Sequence, residues 1–403
     1  MPVKIKKIFG INKIGALEFF IAIYPLLAPY EYGLIKLSVV IPLLLSFCLI
    51  ISKKQKVRCN TAYFKYFLIY YIIHFIVWLI ILPDVPTYFT NTFITSTILL
   101  VSVMVILQYV NFVKLASAVN LVSIICFIGL LYHVVEISIG NVVYPIRVPF
   151  LPDPDKISRV YEMSHRPVSF FMEPQTYVSY MIFPLYMALQ GKNMIWALLI
   201  GLSMLLSGST TGIAMIIIIW VGFLVTQKNG IFMKILFVIA FAILVYVLFN
   251  SDYTTAGLDK MNSTNYGENS RLVNGLIIFA NIPFEYFIGG IPDANISDYC
   301  NHTGLINKVF TNRDDVYVPA IWICLIQYGI IGLVLYLNIY WQSLKSNKAI
   351  IPLWLCVFVS LFTNPSFLGA EFAFIIIFLT THSLINNQNQ NEKDFNCNNA
   401  VCK

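Results

Sequence analysis

Residues 63–82, YFKYFLIYYIIHFIVWLIIL, decide the fold class. Apart from Lys65 and His74 the run is apolar or aromatic throughout, and about twenty residues of helix rise about 30 Å, the thickness of a bilayer's hydrocarbon core. Further apolar runs, bounded by Lys/Arg, Pro, Gly or Asn, fall at about 14–30, 34–51, 91–110, 115–136, 174–190, 194–207, 210–226, 234–250, 319–343, 350–363 and 369–385. The whole chain agrees with them. Hydrophobic residues make up 59% and charged residues 11%, with a mean hydropathy of +0.78, against about 25% charged in an ordinary soluble domain. The expectation is an all-α, polytopic integral membrane protein, one transmembrane domain over residues 1–403 with about twelve transmembrane helices.

The N-terminus, MPVKIKKIFG, has the basic flank of a signal peptide. The apolar segment behind it contains Glu18 and Pro25 and shows no small-residue cleavage site, so it reads as a retained first span. The twelve runs put both termini on one side. Cytoplasmic loops are enriched in Lys and Arg, and with a cytoplasmic N-terminus 17 of the 26 basic residues fall inside: Lys4, Lys6, Lys7, Lys13, Lys53, Lys54, Lys56, Arg58, Lys65, Lys114, Lys192, Lys228, Lys234, Lys345, Lys348, Lys393 and Lys403. Of the 19 acidic residues, Glu392 and Asp394 fall there, with Glu18 inside the first span. This bias accounts for the net charge of +7 by orientation in a plasma membrane, so no nucleic-acid partner is expected.

Two outer segments are then long, 137–173 and 251–318. Loops of that length in a compact fold are functional or unstructured. Aromatic, Pro and Gly residues in VVYPIRVPFLPDPD and FEYFIGGIPDANISDY favour ordered loops packed on the outer surface. ENSRLVNGLIIFANIPFEYFIGG reads as an amphipathic surface helix, with Leu272, Leu276, Ile277, Phe279 and Ala280 at helical spacing and Arg271 at its beginning. The tail 386–403 is Asn/Gln-rich and reads as a disordered cytoplasmic segment. The eight cysteines suggest neither an outer disulfide nor a metal site.

The densest chemistry sits at 165–180, HRPVSFFMEPQTYVSY, where an imidazole, a guanidinium and a carboxylate precede an apolar helix. Pro174 suits the first helical turn, which places Glu173 at the cap, in the positive end of the dipole. There it is more credible as a base or sugar-hydroxyl acceptor than as a proton donor. Thr176, Tyr177 and Tyr180 share its helical face and would offer a polar wall with ring surfaces. The blander reading is a Glu173–Arg166 pair that holds the loop on the helix end. In LLSGSTTGIAM, 205–215, Thr210 or Thr211 would cap a helix, either as an anion seat or as a plain tight turn. Arg159, Arg166, Arg271 and Arg313 stand on the side that should be poor in arginine, and a planar guanidinium grips phosphate oxygens bidentately. His302 would need a partner to act as a base, and Asp298 is four residues away. His74, His133 and His382, inside apolar runs, read as packed or hydrogen-bonded side chains.

The order of these motifs carries a resemblance. An Arg before FMEPQTYVSY, then LSGSTTG, then NSR with IGGIP some twenty residues on, then DDVYVPAIWICLIQYGIIG, resembles the Wzy-type O-antigen and capsular repeat-unit polymerases of the O-antigen ligase-like superfamily. The resemblance spans about 160–335. It implies a metal-independent glycosyltransferase of the bacterial inner membrane, without cofactor, acting on undecaprenyl-pyrophosphate-linked oligosaccharide at the outer face, with room for a chain-length-regulating partner. Residue by residue, Arg166 and Glu173 match the family's Arg and Glu before the helix, Arg271 the Arg of the second loop, and Asp315 and Tyr317 the polar pair before the helix at Gly329–Gly332. His302 falls in the loop where the related ligases keep a histidine, so the base is Glu173 or His302. The rival readings are an O-antigen ligase, with the same donor and lipid A core as acceptor, and a lipid-linked oligosaccharide flippase. A flippase would carry polar residues through many spans and lack the long outer loops.

Overall fold

The computed structural model describes residues 14–32, 35–52, 61–81, 87–151, 166–226, 231–250, 270–291, 295–305, 317–345 and 350–383. Arg159, Arg313, Asp315 and the 386–403 tail lie outside these residues, as does the side chain of Arg271. The regular structure of the described residues is helical apart from one antiparallel pair of two-residue strands, β1 (Glu31–Tyr32) and β2 (Ile35–Lys36), in which Glu31 faces Lys36.

The helices follow the apolar runs. In order they are α1 (Ala16–Leu27), α2 (Leu37–Ile51), α3 (Ala62–Ile81), α4 (Thr87–Ile106), α5 (Phe112–Ser138), α6 (Pro174–Gln190), α7 (Met194–Leu206), α8 (Thr210–Thr226), α9 (Ile231–Asn250), α10 (Ser270–Ala280), α11 (Tyr286–Gly289), α12 (Ile296–His302), α13 (Ala320–Lys345), α14 (Ile351–Thr363) and α15 (Ala370–Ser383). By length and composition α3, α5 and α13 can cross a membrane, while α1, α2, α7, α8, α14 and α15 are shorter apolar helices. The first run departs most from expectation. Its helix holds 12 residues, with Pro25 inside, and stops at Leu27, where the chain turns into the β1–β2 pair. Glu18 in its first turn is buried, folded back over Gly15.

The chain divides into two compact units. The first comprises residues 1–40, 113–265 and 349–360. Its centre is α6, buried along nearly its whole length and packed on α7 and α8. A helix apolar on every face belongs in an interior or in lipid.

The second unit comprises residues 41–112, 266–348 and 361–403 and is organised around α13. Its N-terminal end is anchored by the Ala320 N–H to the Asn364 carbonyl at 2.8 Å and by the Tyr317 hydroxyl to the Thr363 carbonyl at 3.3 Å. Midway, α13 is interrupted at Gly329, whose φ of 65° and ψ of −173° are not helical. The break is filled by the turn at 288–291. Ile291 donates its N–H to the Ile326 carbonyl at 2.9 Å, and Tyr70 donates its hydroxyl to the Tyr328 carbonyl at 2.5 Å. A Cβ on Gly329 would lie 2.0 Å from the Ile288 carbonyl oxygen, and one on Gly290 2.1 Å from that of Gln327. His74, within α3, places Nε2 2.8 Å from the Gly289 carbonyl oxygen, with Trp78 Nε1 3.0 Å from the same nitrogen.

Candidate functional site

The loop ahead of α6 is built into the protein rather than laid over it. Val168, Ser169 and Phe171 are buried. Ser169 has a φ of 58°, a left-handed conformation that side chains other than glycine's adopt at a cost and that persists only when surroundings over-determine it. The surroundings are supplied by one face of α5. Ser169 Oγ donates to the Cys126 carbonyl at 2.8 Å, and the Val168 and Ser169 N–H groups both donate to His133 Nδ1 at 3.2 Å. The Ser169 carbonyl accepts the Ile146 N–H at 2.8 Å, which ties the two ends of the first long loop together. Between Cys126 and His133 stands Gly129, where a Cβ would fall 2.5 Å from Ser169 Oγ. Cys126, Gly129 and His133 lie on neighbouring turns of one helix face. None of the three stood out in the sequence as part of the site; the available signal was a histidine four residues after a glycine within an apolar run.

Glu173 is the N-cap residue of α6, extended at φ −139° and ψ 148°, with Pro174 in the first turn, as the sequence implies. Its carbonyl accepts the Tyr177 N–H at 3.2 Å and so begins the helix, while its side chain makes no cap hydrogen bond. Among the described residues the half-buried carboxylate joins no ion pair or side-chain hydrogen bond. The loop is therefore held by His133 and Cys126, not by a Glu173–Arg166 pair. Arg166 begins the described part of the loop and is half-buried.

The expected wall of rings is packed away. Tyr177 is fully buried and donates to Ser203 Oγ at 2.8 Å, and Tyr180 donates to the Ala22 carbonyl at 3.1 Å. Phe171 packs edge-on against Tyr177, with ring centroids 5.8 Å apart. These tyrosines present no ring to a ligand, because a helix this deeply buried must spend their hydroxyls on internal partners. Thr176 stays half-exposed beside Glu173. The LSGSTTG segment is a tight turn: Gly208 takes a φ of 65°, and Ser209, rather than Thr210 or Thr211, caps α8 by accepting the Gly212 N–H at 3.3 Å.

Arg271, His302 and Tyr317 belong to the second unit. Arg271 lies in the first turn of α10, and Asn274, one turn on, donates to the Tyr317 carbonyl at 3.3 Å. The amphipathic helix is present, but its buried face is Asn274, Gly275 and Ile278, while Leu276 is exposed. Shape decides this. A Cβ on Gly275 would stand 2.3 Å from Trp322 Cγ, so only glycine lets α10 close on α13. His302 ends α12 and is exposed; Asp298, in the first turn, uses its backbone N–H on Asn295 Oδ1 at 2.8 Å.

No family model matches the chain, and no curated protein matches it.

Proposed function

We propose that the protein is an inner-membrane glycosyltransferase that crosses the bilayer about twelve times with both termini in the cytoplasm. It polymerises undecaprenyl-pyrophosphate-linked repeat units into O-antigen or capsular polysaccharide at the outer face. One observation carries the reading: the loop from Arg166 to Glu173 is fixed by buried hydrogen bonds, and among the described residues the Glu173 carboxylate is left uncommitted. Ionisable groups near the membrane are rare without a task, and a rigid support is what positions a reacting group.

In the reaction, the hydroxyl oxygen of the acceptor sugar attacks the anomeric carbon of the donor. The bond from that carbon to the pyrophosphate oxygen breaks, and undecaprenyl pyrophosphate leaves with the bonding electrons. Glu173 or His302 accepts the hydroxyl proton. Guanidiniums such as those of Arg159, Arg166, Arg271 and Arg313 are the groups that can hold a pyrophosphate and stabilise the charge that grows as it departs.

The test is gene deletion complemented by variants, read as lipopolysaccharide or capsule ladders beside membrane abundance. Loss of the gene leaves a single repeat unit on the core or no capsular polymer, and Arg166→Ala fails to restore the ladder at normal abundance. Loss of a general base costs about 10²–10⁴-fold in rate, so Glu173→Gln also fails if Glu173 is the base. Bare core with polymer accumulated on the carrier assigns the ligase activity instead, and units trapped inside assign the flippase.

A further inference from the structure

We infer that residues 270–291, which the sequence places on the outer surface, form a re-entrant hairpin seated in the bilayer, with Leu276, Phe284 and Ile288 against the hydrocarbon of the outer leaflet. The inference rests on the spanning arrangement proposed above, not on the enzymatic reading.

The depth follows from partners in the second unit. Helix α10 descends beside α13: Asn274 bonds Tyr317, Gly275 closes on Trp322, and Ile278 packs in one cluster with Ile326. The chain then reverses and comes back along the same helix, with Ile288 against Gly329, Gly290 against Gln327 and Ile291 bonded to Ile326. Gly329 lies nine residues past the start of α13, about 14 Å of helix, and His74, which meets the Gly289 carbonyl, lies seven residues short of the end of α3, about 10 Å. Both helices are long and apolar enough to cross a membrane, so both markers put the turn below the surface.

Most of the turn's backbone N–H groups are paired within the hairpin or with α13, as a lipid environment favours, where an unpaired N–H has no water to meet. Asn281 and Ile282 bond back to Ile278 and Phe279, Tyr286 and Phe287 to Pro283 and Phe284, and Gly290 to Tyr286. The large hydrophobic side chains the turn exposes are Leu276 at 54%, Ile288 at 55% and Phe284 at 83%, with Asn281 and Glu285 exposed between them. The occupant of that face is the one that covers the exposed Ile73, Ile76 and Ile80 of α3, the helix on which the turn leans. Glu285 is exposed beside Phe284 and limits the depth. A carboxylate in hydrocarbon is costly, so the turn stands in the outer half of the bilayer, where Glu285 keeps water while its neighbours meet lipid.

Nitroxide labels on single cysteines at Leu276, Phe284 and Ile288 test this in protein reconstituted into phosphatidylglycerol/phosphatidylcholine vesicles, after serine replacement of the reactive native cysteines. Labels at Ile73 and Asn141 calibrate lipid and water. Oxygen collisions high and nickel-chelate collisions low at Phe284 and Ile288, as at Ile73, support the seat; the balance found at Asn141 at either position overturns it. Should purification fail, a membrane-impermeant maleimide on intact spheroplasts reads the same point, because cysteine at Asn141 reacts without detergent and cysteine at Phe284 reacts only after detergent. Phe284 reacting like Asn141 overturns the seat. Neither measurement uses polymer synthesis, so a hairpin found in water leaves the polymerase reading standing.

Discussion

Replacing His133 by leucine isolates the device that holds the Arg166–Glu173 loop. The ring is buried, and its Nδ1 accepts from two buried backbone donors, Val168 and Ser169. Leucine keeps volume and removes the acceptor, along with the ring's hydrogen bond to the Tyr144 backbone earlier in the same loop. A buried donor left without a partner costs about 1–3 kcal/mol. The two share one lone pair at 3.2 Å each, so the lower part of the range applies, about 2–4 kcal/mol for both. The His133 bonds run to Val168 and Ser169 and none to α6, so the loss falls first on the loop. At about 1.4 kcal/mol per tenfold, the open loop becomes roughly 30- to 700-fold more populated. Hydrogen–deuterium exchange across 166–173 in detergent should accelerate by that factor while exchange in α6 is unchanged. Asparagine at the same position returns an acceptor near the place of Nδ1 and should recover most of the protection. Unchanged exchange in His133→Leu, or equal loss in His133→Asn, would refute the hydrogen-bond account of the loop.

Other outcomes follow from the same contacts. Gly329→Ala and Gly290→Ala each push a Cβ to about 2 Å from a backbone carbonyl oxygen, with a positive φ lost besides. Either should undock the 286–291 turn, measured as rapid protease cleavage there with α3 and α13 still inserted. Gly275→Leu, aimed at the α10–Trp322 contact 2.3 Å from where its Cβ would sit, should lower expression or melting temperature without a change in membrane targeting. Tyr177→Phe loses one internal hydrogen bond, worth about 0.5–1.5 kcal/mol, and Ser203 keeps its own bond to the Ile200 carbonyl. Melting temperature should fall by a few degrees with the polysaccharide ladder intact; a lost ladder at normal abundance would return Tyr177 to the substrate.

Helix positions were legible because apolar runs and their breakers are local. Pro174 marks the start of α6, and the runs at 174–190 and 210–226 are the observed helices. The loops were legible only as loops. What orders 166–173 is an imidazole 35 and 36 residues earlier in the chain, and no local pattern pairs His133 with Ser169. The face of α10 misled for a physical reason. Amphipathic reasoning assumes that apolar side chains turn toward protein and polar ones toward water, yet Asn274 and Gly275 turn inward because one bonds Tyr317 and the other admits Trp322. Where the solvent is lipid, an apolar side chain gains nothing by turning inward, and close approach and hydrogen bonding choose the face instead.

The two histidines show the same requirement met twice. A loop that leaves water must surrender backbone hydrogen bonds to whatever stands in the helices it enters, and most side chains of a span carry neither donor nor acceptor. A neutral imidazole carries one of each without the cost of a fixed charge. His133 accepts two N–H groups from the loop ahead of α6, and His74 meets the carbonyl of Gly289 in the second long loop. In each place the backbone also needs room, which a glycine supplies: Gly129 under Ser169, and Gly329 under Ile288. Histidine and glycine inside apolar runs are thus the marks of a docked loop, and a substitution that removes either should free one loop while leaving the spans in place.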